Sequence, residues 1–104
     1  MKRSVAEIYV VFYKDARTLN ALKGPKAVFD TYDDAERYVN HKFVRSNATE
    51  VVPERMHVPS GFIEYHTFYF HRRKIEQYII KPANAFDYRF ELEMTRRGAG
   101  MKLW

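Results

Sequence analysis

The chain has 104 residues, of which 46% are hydrophobic and 16% aromatic, and it carries a formal net charge of +5. This length fits one domain with one core, and the composition excludes an intrinsically disordered chain. There is no cysteine, which excludes disulfides, thiolate nucleophiles and cysteine-based zinc modules.

Two segments predict the first part of a β-sheet. Residues 5–13 are dense in β-branched and aromatic side chains, which is typical of a buried, central strand. Gly24 and Pro25 then break the pattern, so residues 14–25 are predicted to be a loop and residues 26–29 a short second strand.

A helix is predicted from Tyr32 to about Arg45. The Thr31 hydroxyl can accept a hydrogen bond from a free amide of the first turn. Acidic residues lie in the first turn and basic residues near the last, which suits the helix dipole. Apolar residues at helical spacing form a stripe that would pack on the sheet, namely Tyr32, Ala35, Val39 and Phe43.

Residues 46–61 are predicted to be a long connection, because they contain Pro53, Pro59 and Gly61 with little periodicity. A connection of this length is unusual in a compact domain. It is expected either to bind something or to contain a short strand near Val51.

Residues 62–70 are predicted to be a strand in which both alternating sets of side chains are mostly apolar or aromatic. The helix can cover one face, so the other face needs more of the same chain, a second subunit or a ligand. A basic turn over residues 71–74 leads to a further strand at residues 75–81, although Ile75, Tyr78 and Ile79 would also suit a short helix.

Residues 86–94 alternate strictly between apolar and polar or charged side chains, which predicts a half-buried final strand. The folded body, residues 1–95, is expected to end there, and residues 96–104 are expected to form a flexible basic tail. Of the 18 basic residues three lie in this tail, whereas all 13 acidic residues precede it. The predicted fold class is α+β, with the order β-β-α-β-β-β: a mostly antiparallel sheet of about five strands with one helix on one face.

Catalytic chemistry is sought among the histidines and acids. Glu64 and His66 are two apart on one strand, so they face the same way as an acid and a base would, or as a simple hydrogen-bonded pair. His57, His66 and His71 are the only plausible metal trio, but their spacing matches no familiar site. No catalytic residue, metal or cofactor is therefore assigned. If the chain were an enzyme, a metal-independent ribonuclease using His, Arg and Tyr would be the natural class.

The favoured function is a small, basic, non-enzymatic binding protein associated with nucleic acid. Cationic side chains can pair with phosphates, and Tyr65 and Tyr69 could stack on bases. Each feature also has an ordinary explanation, since basic turns are usually just solvated and sheet tyrosines usually belong to a core. The predicted contact residues are Arg72, Arg73, Lys74, Arg96, Arg97, Lys102, Tyr65 and Tyr69.

The alternative is a protein-binding inhibitor or adaptor, of the kind that phages and mobile elements encode, acting on a larger partner. Its predicted contacts are Phe62, Tyr65, Tyr69 and Trp104, and a homodimer through the sheet would also cover the apolar strand. No uninterrupted apolar signal segment and no run of about 18 apolar residues is visible, so a cytoplasmic location without a membrane partner is expected.

Overall fold

The computed structural model describes residues 7–15, 25–90 and 93. It contains one five-stranded antiparallel sheet with a helix packed against it, which confirms the α+β class. The elements in chain order are β1 (Glu7–Asp15), β2 (Ala27–Phe29), α1 (Tyr32–Arg45), β3 (Glu50–Val58), β4 (Gly61–Phe70), β5 (Arg73–Asn84) and a 3₁₀ helix (Ala85–Tyr88).

The strands lie in the order β2-β1-β5-β4-β3. β1 therefore occupies an interior position, as its apolar composition predicted, and the short β2 and the longer β3 form the two edges. β4 and β5 form a hairpin with a two-residue turn at His71 and Arg72. The predicted strand at residues 75–81 is thus confirmed and extends further at both ends, which removes the short-helix alternative.

The helix begins and ends where the sequence predicted. The side chain of Thr31 accepts a hydrogen bond from the amide of Asp34 at 3.2 Å. At the other end, the hydroxyl of Ser46 donates to the carbonyl oxygen of Phe43 at 2.8 Å. The side chain of Phe43 packs edge-on against Phe68 of β4, with the ring centroids 5.5 Å apart, so α1 ends beside the last residues of that strand.

Both faces of the sheet bury apolar side chains. On the face covered by α1, the largest cluster contains Val11, Phe29, Ala35, Tyr38, Val39, Phe68, Ile75, Tyr78 and Ile80. On the opposite face, here called the second face, a smaller cluster of Ile8, Val10 and Val28 is covered by the segment that follows β5, through Ala85 and Tyr88. More of the same chain therefore covers this part of the second face.

The prediction that residues 46–61 form a connection is wrong for most of that segment. Its alternative, a strand near Val51, is confirmed in a longer form, because residues 50–58 form β3. This strand is at the edge of the sheet and most of its side chains are exposed, so its sequence lacks a strong apolar pattern. Pro53 is tolerated because an edge strand does not need every amide for pairing. The same proline removes an amide from this edge, which disfavours pairing with a second copy of the chain.

The predicted strand at residues 86–94 is also wrong. The side chain of Asn84 accepts a hydrogen bond from the amide of Phe86 at 2.7 Å and caps a 3₁₀ turn. Residues 89, 90 and 93 continue in helical conformation. Ala85 and Tyr88, three residues apart, face the sheet. The alternating apolar residues from Phe86 to Phe90 therefore do not form one buried face of a strand.

The predicted tail, residues 96–104, lies outside the described residues. No helix in the described part of the chain is long and apolar enough to cross a membrane.

Candidate functional site

The two tyrosines predicted to stack on bases lie on the second face. Phe68 belongs to the core beneath α1, and side chains alternate along a strand, so Tyr65 and Tyr69 point to the other side. Both are half-buried. Tyr69 pairs directly with Lys74 of β5, and paired residues share a face, so this lysine lies beside a predicted stacking platform.

The hairpin turn holds two residues in the left-handed region of backbone conformation. The φ angle is 47° at His71 and 73° at Arg72, where Asn and Gly are the favoured residues. The turn is anchored by the amide of His71, which donates to the hydroxyl of Thr49 at 3.0 Å, and by the His71 ring, 4.3 Å from that of Phe70. Arg72 and Arg73 are exposed beside this anchored turn.

Cations from four separate segments meet at this end of the sheet. The end of β1, with Lys14, lies beside the start of β5, because Asp15 pairs with Glu76. Lys26 lies alongside β1, because its amide donates to the carbonyl oxygen of Val11 at 2.8 Å. The helix also ends here, because Phe43 contacts Phe68. We call this region the basic end and define it by Lys14, Lys26, Lys42, Arg45, Arg72, Arg73 and Lys74.

The basic end concentrates positive charge but also contains acids. Burial lowers the pKa of Lys42, and the nearby charges of Lys26 and Arg45 lower it further, while Glu76 opposes the effect. On the second face, Glu50 and Glu54 of β3 pair directly with Tyr69 and Tyr65. A phosphate chain would therefore approach these tyrosines from the β5 side, where Lys74 lies, and not from the β3 side.

Of the residues that define the basic end, the sequence analysis predicted only those of the hairpin, Arg72, Arg73 and Lys74. Lys14, Lys26, Lys42 and Arg45 are far apart in the chain, and only strand register and helix placement bring them together. The predicted tail contacts Arg96, Arg97, Lys102 and Trp104 lie outside the described residues.

A second group of polar side chains surrounds Glu64 on the helix face. Glu64 Oε1 accepts a hydrogen bond from the Tyr32 hydroxyl at 2.5 Å, and it lies 2.7 Å from His66 Nε2. Arg55 of β3 donates to Glu64 Oε2 through Nε and through a terminal nitrogen, both at 3.0 Å. One carboxylate thus connects α1, β3 and β4, and we call these four residues the Glu64 network.

The hydrogen bonds keep Glu64 ionised although its side chain is only 9% exposed. Burial alone would raise the pKa of Glu64, but the hydrogen bonds from Tyr32, His66 and Arg55 outweigh it and lower the pKa. The same environment raises the pKa of Tyr32, mainly through burial and then through its bond to this carboxylate. Since the carboxylate is charged, His66 Nε2 carries a hydrogen and donates.

Three half-buried rings support Arg55. Its guanidinium carbon lies 4.0 Å from the centroid of Phe62 and 5.3 Å from that of Tyr32, and Tyr9 stacks beside Phe62 with centroids 6.4 Å apart. Phe62, predicted as a partner contact, is therefore beneath an arginine on the helix face, whereas Tyr65 and Tyr69 lie on the other face. The three predicted residues of β4 do not form one surface.

The Glu64 and His66 pair was visible in the sequence as two residues on one face of a strand. Arg55 and Tyr32 were missed as its partners, because both are distant in the chain and Arg55 was placed in a loop. The only sequence feature that could have pointed to Arg55 was its position shortly after Val51, where a short strand had been considered.

The three histidines that were considered as metal ligands, His57, His66 and His71, are spread along β4 and its neighbours. His57 pairs with Phe62 near the start of β4, His71 follows its end, and a strand of this length spans about 30 Å. Among the described residues, no group of three or more His, Asp or Glu side chains could hold a metal ion.

Comparison of the chain with protein-family models, with curated proteins and with solved structures finds no match.

Proposed function

We propose that this protein binds single-stranded nucleic acid through its basic end, with Tyr69 and Tyr65 as stacking platforms on the second face. The observation that carries the proposal is that lysines and arginines from β1, from the residue before β2, from α1 and from the hairpin lie at one end of the sheet, and that one of them, Lys74, lies beside the half-buried Tyr69. Cations that neutralise phosphates supply most of non-specific affinity, and stacking on aromatic rings adds a sequence-tolerant contribution.

The strained hairpin supports the same reading. A His and an Arg in left-handed conformations cost about 1 kcal/mol or more each compared with Asn or Gly. Strained backbone positions of this kind cluster at functional sites. Here the strained residues present a guanidinium at the tip of the basic end, beside Lys74.

The proposal is tested by comparing two charge-matched double variants. Arg72→Ala with Lys74→Ala removes two cations from the basic end, and Arg37→Ala with Arg89→Ala removes two exposed cations away from it. Binding of fluorescent single-stranded RNA and duplex DNA is followed by anisotropy at several salt concentrations. We expect the first variant to bind about tenfold more weakly, with a salt slope smaller by about 1.4, because each phosphate contact contributes about 0.7 for a single strand.

The second variant should bind within about twofold of wild type, apart from the general effect of its lower net charge. Equal losses in the two variants would mean that net charge alone governs binding and would contradict a localised interface. Absence of binding by wild type near physiological salt would refute the proposal.

A protein partner is the second candidate, and one observation favours it. Phe86 and Phe90 are 67% and 74% exposed and four residues apart in the helical segment after β5. Exposed aromatic side chains at this spacing can dock into a groove as anchors. Under this alternative, an inhibitor or adaptor role would depend on Phe86 and Phe90, and loss of Arg72 and Lys74 would leave partner binding unchanged.

A further inference from the structure

The Glu64 network holds two of the three kinds of group that RNA cleavage without a second substrate requires, a carboxylate and a cation. In that reaction the 2′-hydroxyl of one ribose attacks the adjacent phosphorus, so the protein must supply a base, an acid and a cation for the phosphate. The base must be ionised and must lie beside the cation. Glu64 meets both conditions, because its hydrogen bonds lower its pKa and Arg55 is 3.0 Å away.

Arg55 is arranged to receive a phosphate. Its side chain is 39% exposed, and its guanidinium rests on Phe62 while two of its nitrogens point to Glu64. The exposed edge of the guanidinium retains donors for phosphate oxygens. A phosphate that draws Arg55 away from the carboxylate also uncovers Glu64 Oε2, which is the oxygen that the base needs.

A candidate acid lies on the same face. His57 is two residues from Arg55 on β3, so both side chains point toward the helix side, and it pairs with Phe62 while Arg55 pairs with Glu64. His57 is therefore diagonal to Glu64, a relation that separates residues on neighbouring strands by about 7–8 Å. This spacing fits an acid and a base on opposite sides of one phosphate. His57 is exposed.

The remaining charges define the direction of approach. Glu7 accepts a hydrogen bond from the Tyr9 hydroxyl at 3.1 Å, and Glu36 lies 3.4 Å from the Tyr32 hydroxyl. These carboxylates make the β1 and α1 sides of the network unfavourable for a phosphate. The β3 side, with Arg55 and His57, is the side that an RNA strand can approach.

We propose that this site, which lies on the helix face and at the other end of β4 from the basic end, cleaves by internal transesterification a single-stranded RNA long enough to reach both surfaces, an inference that rests on the proposed binding of nucleic acid. Glu64 Oε2 takes the proton of the 2′-hydroxyl, whose oxygen bonds to phosphorus as the bond from phosphorus to the 5′-oxygen breaks. His57, in its protonated form, gives a proton to the departing 5′-oxygen. The products are a 2′,3′-cyclic phosphate and a 5′-hydroxyl. Glu64 then loses its proton to solvent, and His57 takes up a proton from solvent.

Within this mechanism Glu64, His57 and Arg55 are catalytic residues, and Tyr32 and His66 are positioning residues. The two positioning residues hold Glu64 Oε1 at 2.5 and 2.7 Å, which leaves Oε2 as the reacting oxygen. Glu64 stays on rigid strand β4 throughout, and only the exposed Arg55 has to move.

The test uses the full chain with a fluorescent single-stranded RNA in the presence of EDTA, and it measures cleavage rate and product ends. The variants are Glu64→Gln and His57→Asn, and the control is Asp87→Asn, which changes an exposed carboxylate of the 3₁₀ helix. A DNA strand with one ribonucleotide serves as a second substrate. Binding is measured in parallel by anisotropy with a 2′-O-methyl RNA that cannot react.

We expect wild type and Asp87→Asn to cleave RNA at similar rates, to cut the mixed strand only after the ribonucleotide and to leave a 2′,3′-cyclic phosphate. Glu64→Gln should lose about 100-fold or more in rate and His57→Asn at least about tenfold, the usual range for acid and base groups. His57 is exposed, so His57→Asn keeps the test valid even if Glu64→Gln fails to fold.

Three results would overturn the inference. Wild type that binds the 2′-O-methyl RNA but cleaves no RNA refutes the activity and leaves the proposed binding intact. Cleavage that persists unchanged in both Glu64→Gln and His57→Asn assigns the activity to a contaminant. Absence of both binding and cleavage refutes the activity and the proposed function together.

Discussion

Glu64 illustrates how a buried charge is stabilised by its partners. Its carboxylate receives hydrogen bonds from a helix residue, Tyr32, from an edge-strand residue, Arg55, and from His66 on its own strand. An unpaired carboxylate in this position would take up a proton or destabilise the fold. Glu64 therefore ties α1 and β3 to β4 in addition to any chemistry it performs.

The lowered pKa of Glu64 predicts a stability loss in acid. Between the folded and unfolded pKa values the unfolded chain binds more protons, so stability rises with pH there. The stabilisation is fully present above the ordinary glutamate value of 4.5 and is lost as the pH falls through the lower folded pKa. Urea unfolding from about pH 7 to about pH 3 should show this decline in wild type.

Glu64→Gln should be less stable by about 2 kcal/mol at neutral pH, less than for a fully buried pair because Arg55 is partly exposed. Its unfolding free energy should also depend less on pH below about 4.5. The control Glu54→Gln should keep the wild-type profile. An unchanged acid dependence in Glu64→Gln would show that another group causes the decline.

At the scale of elements, the β4–β5 hairpin shows a local preference that the fold overrides. A two-residue turn of this kind favours Asn and Gly, yet the chain has His71 and Arg72 there with positive φ angles. The pairing of ten-residue β4 with twelve-residue β5 and the anchor to Thr49 hold the turn in place.

Arg72→Gly should stabilise the protein by about 0.5–1 kcal/mol, because glycine adopts a φ of 73° without steric cost. Arg73→Gly is the matched control, because Arg73 is the first residue of β5 and its φ is not positive, so the same change there should destabilise by about 0.5 kcal/mol. Urea unfolding measures both. If Arg72→Gly destabilises, the turn is not strained as its φ angles indicate. The same variant should weaken nucleic-acid binding, since a cation is lost.

At the scale of the whole molecule, the described residues place most cations at one end of the sheet and a group of acids at the other. The basic end lies at the β4–β5 turn and the C-terminus of α1. Around the start of β1 and the N-terminus of α1 lie several acids, namely Glu7, Asp30, Asp33, Asp34 and Glu36. A polar distribution of this kind orients a charged ligand before contact and raises association rates.

Lys14 and Arg45 test whether the basic end acts as a unit. They lie on β1 and at the end of α1, far in sequence from the turn. Lys14→Ala with Arg45→Ala should weaken RNA binding about as much as two turn substitutions and lower the salt slope by about 1.4. Lys81→Ala is the control for an exposed lysine elsewhere on the second face. An effect confined to turn variants would limit the interface to the hairpin.

The sequence by itself determined the features that depend on neighbouring residues. The helix from Tyr32 to Arg45 follows from a cap and an apolar stripe, and β1 and β4 follow from dense β-branched and aromatic residues. It also determined the α+β class and the alignment of Glu64 with His66, because spacing along one strand fixes a shared face.

Tertiary structure decided what depends on position in the sheet. Residues 50–58 form a strand because they lie at an edge beside β4, where exposure relaxes the apolar pattern. Residues 86–88 turn helical because Asn84 caps them and Tyr88 packs against the small apolar cluster of the second face. Strand register alone joined Arg55 to Glu64 and assembled the basic end. Both candidate sites join residues distant in the chain, so local periodicity does not encode them.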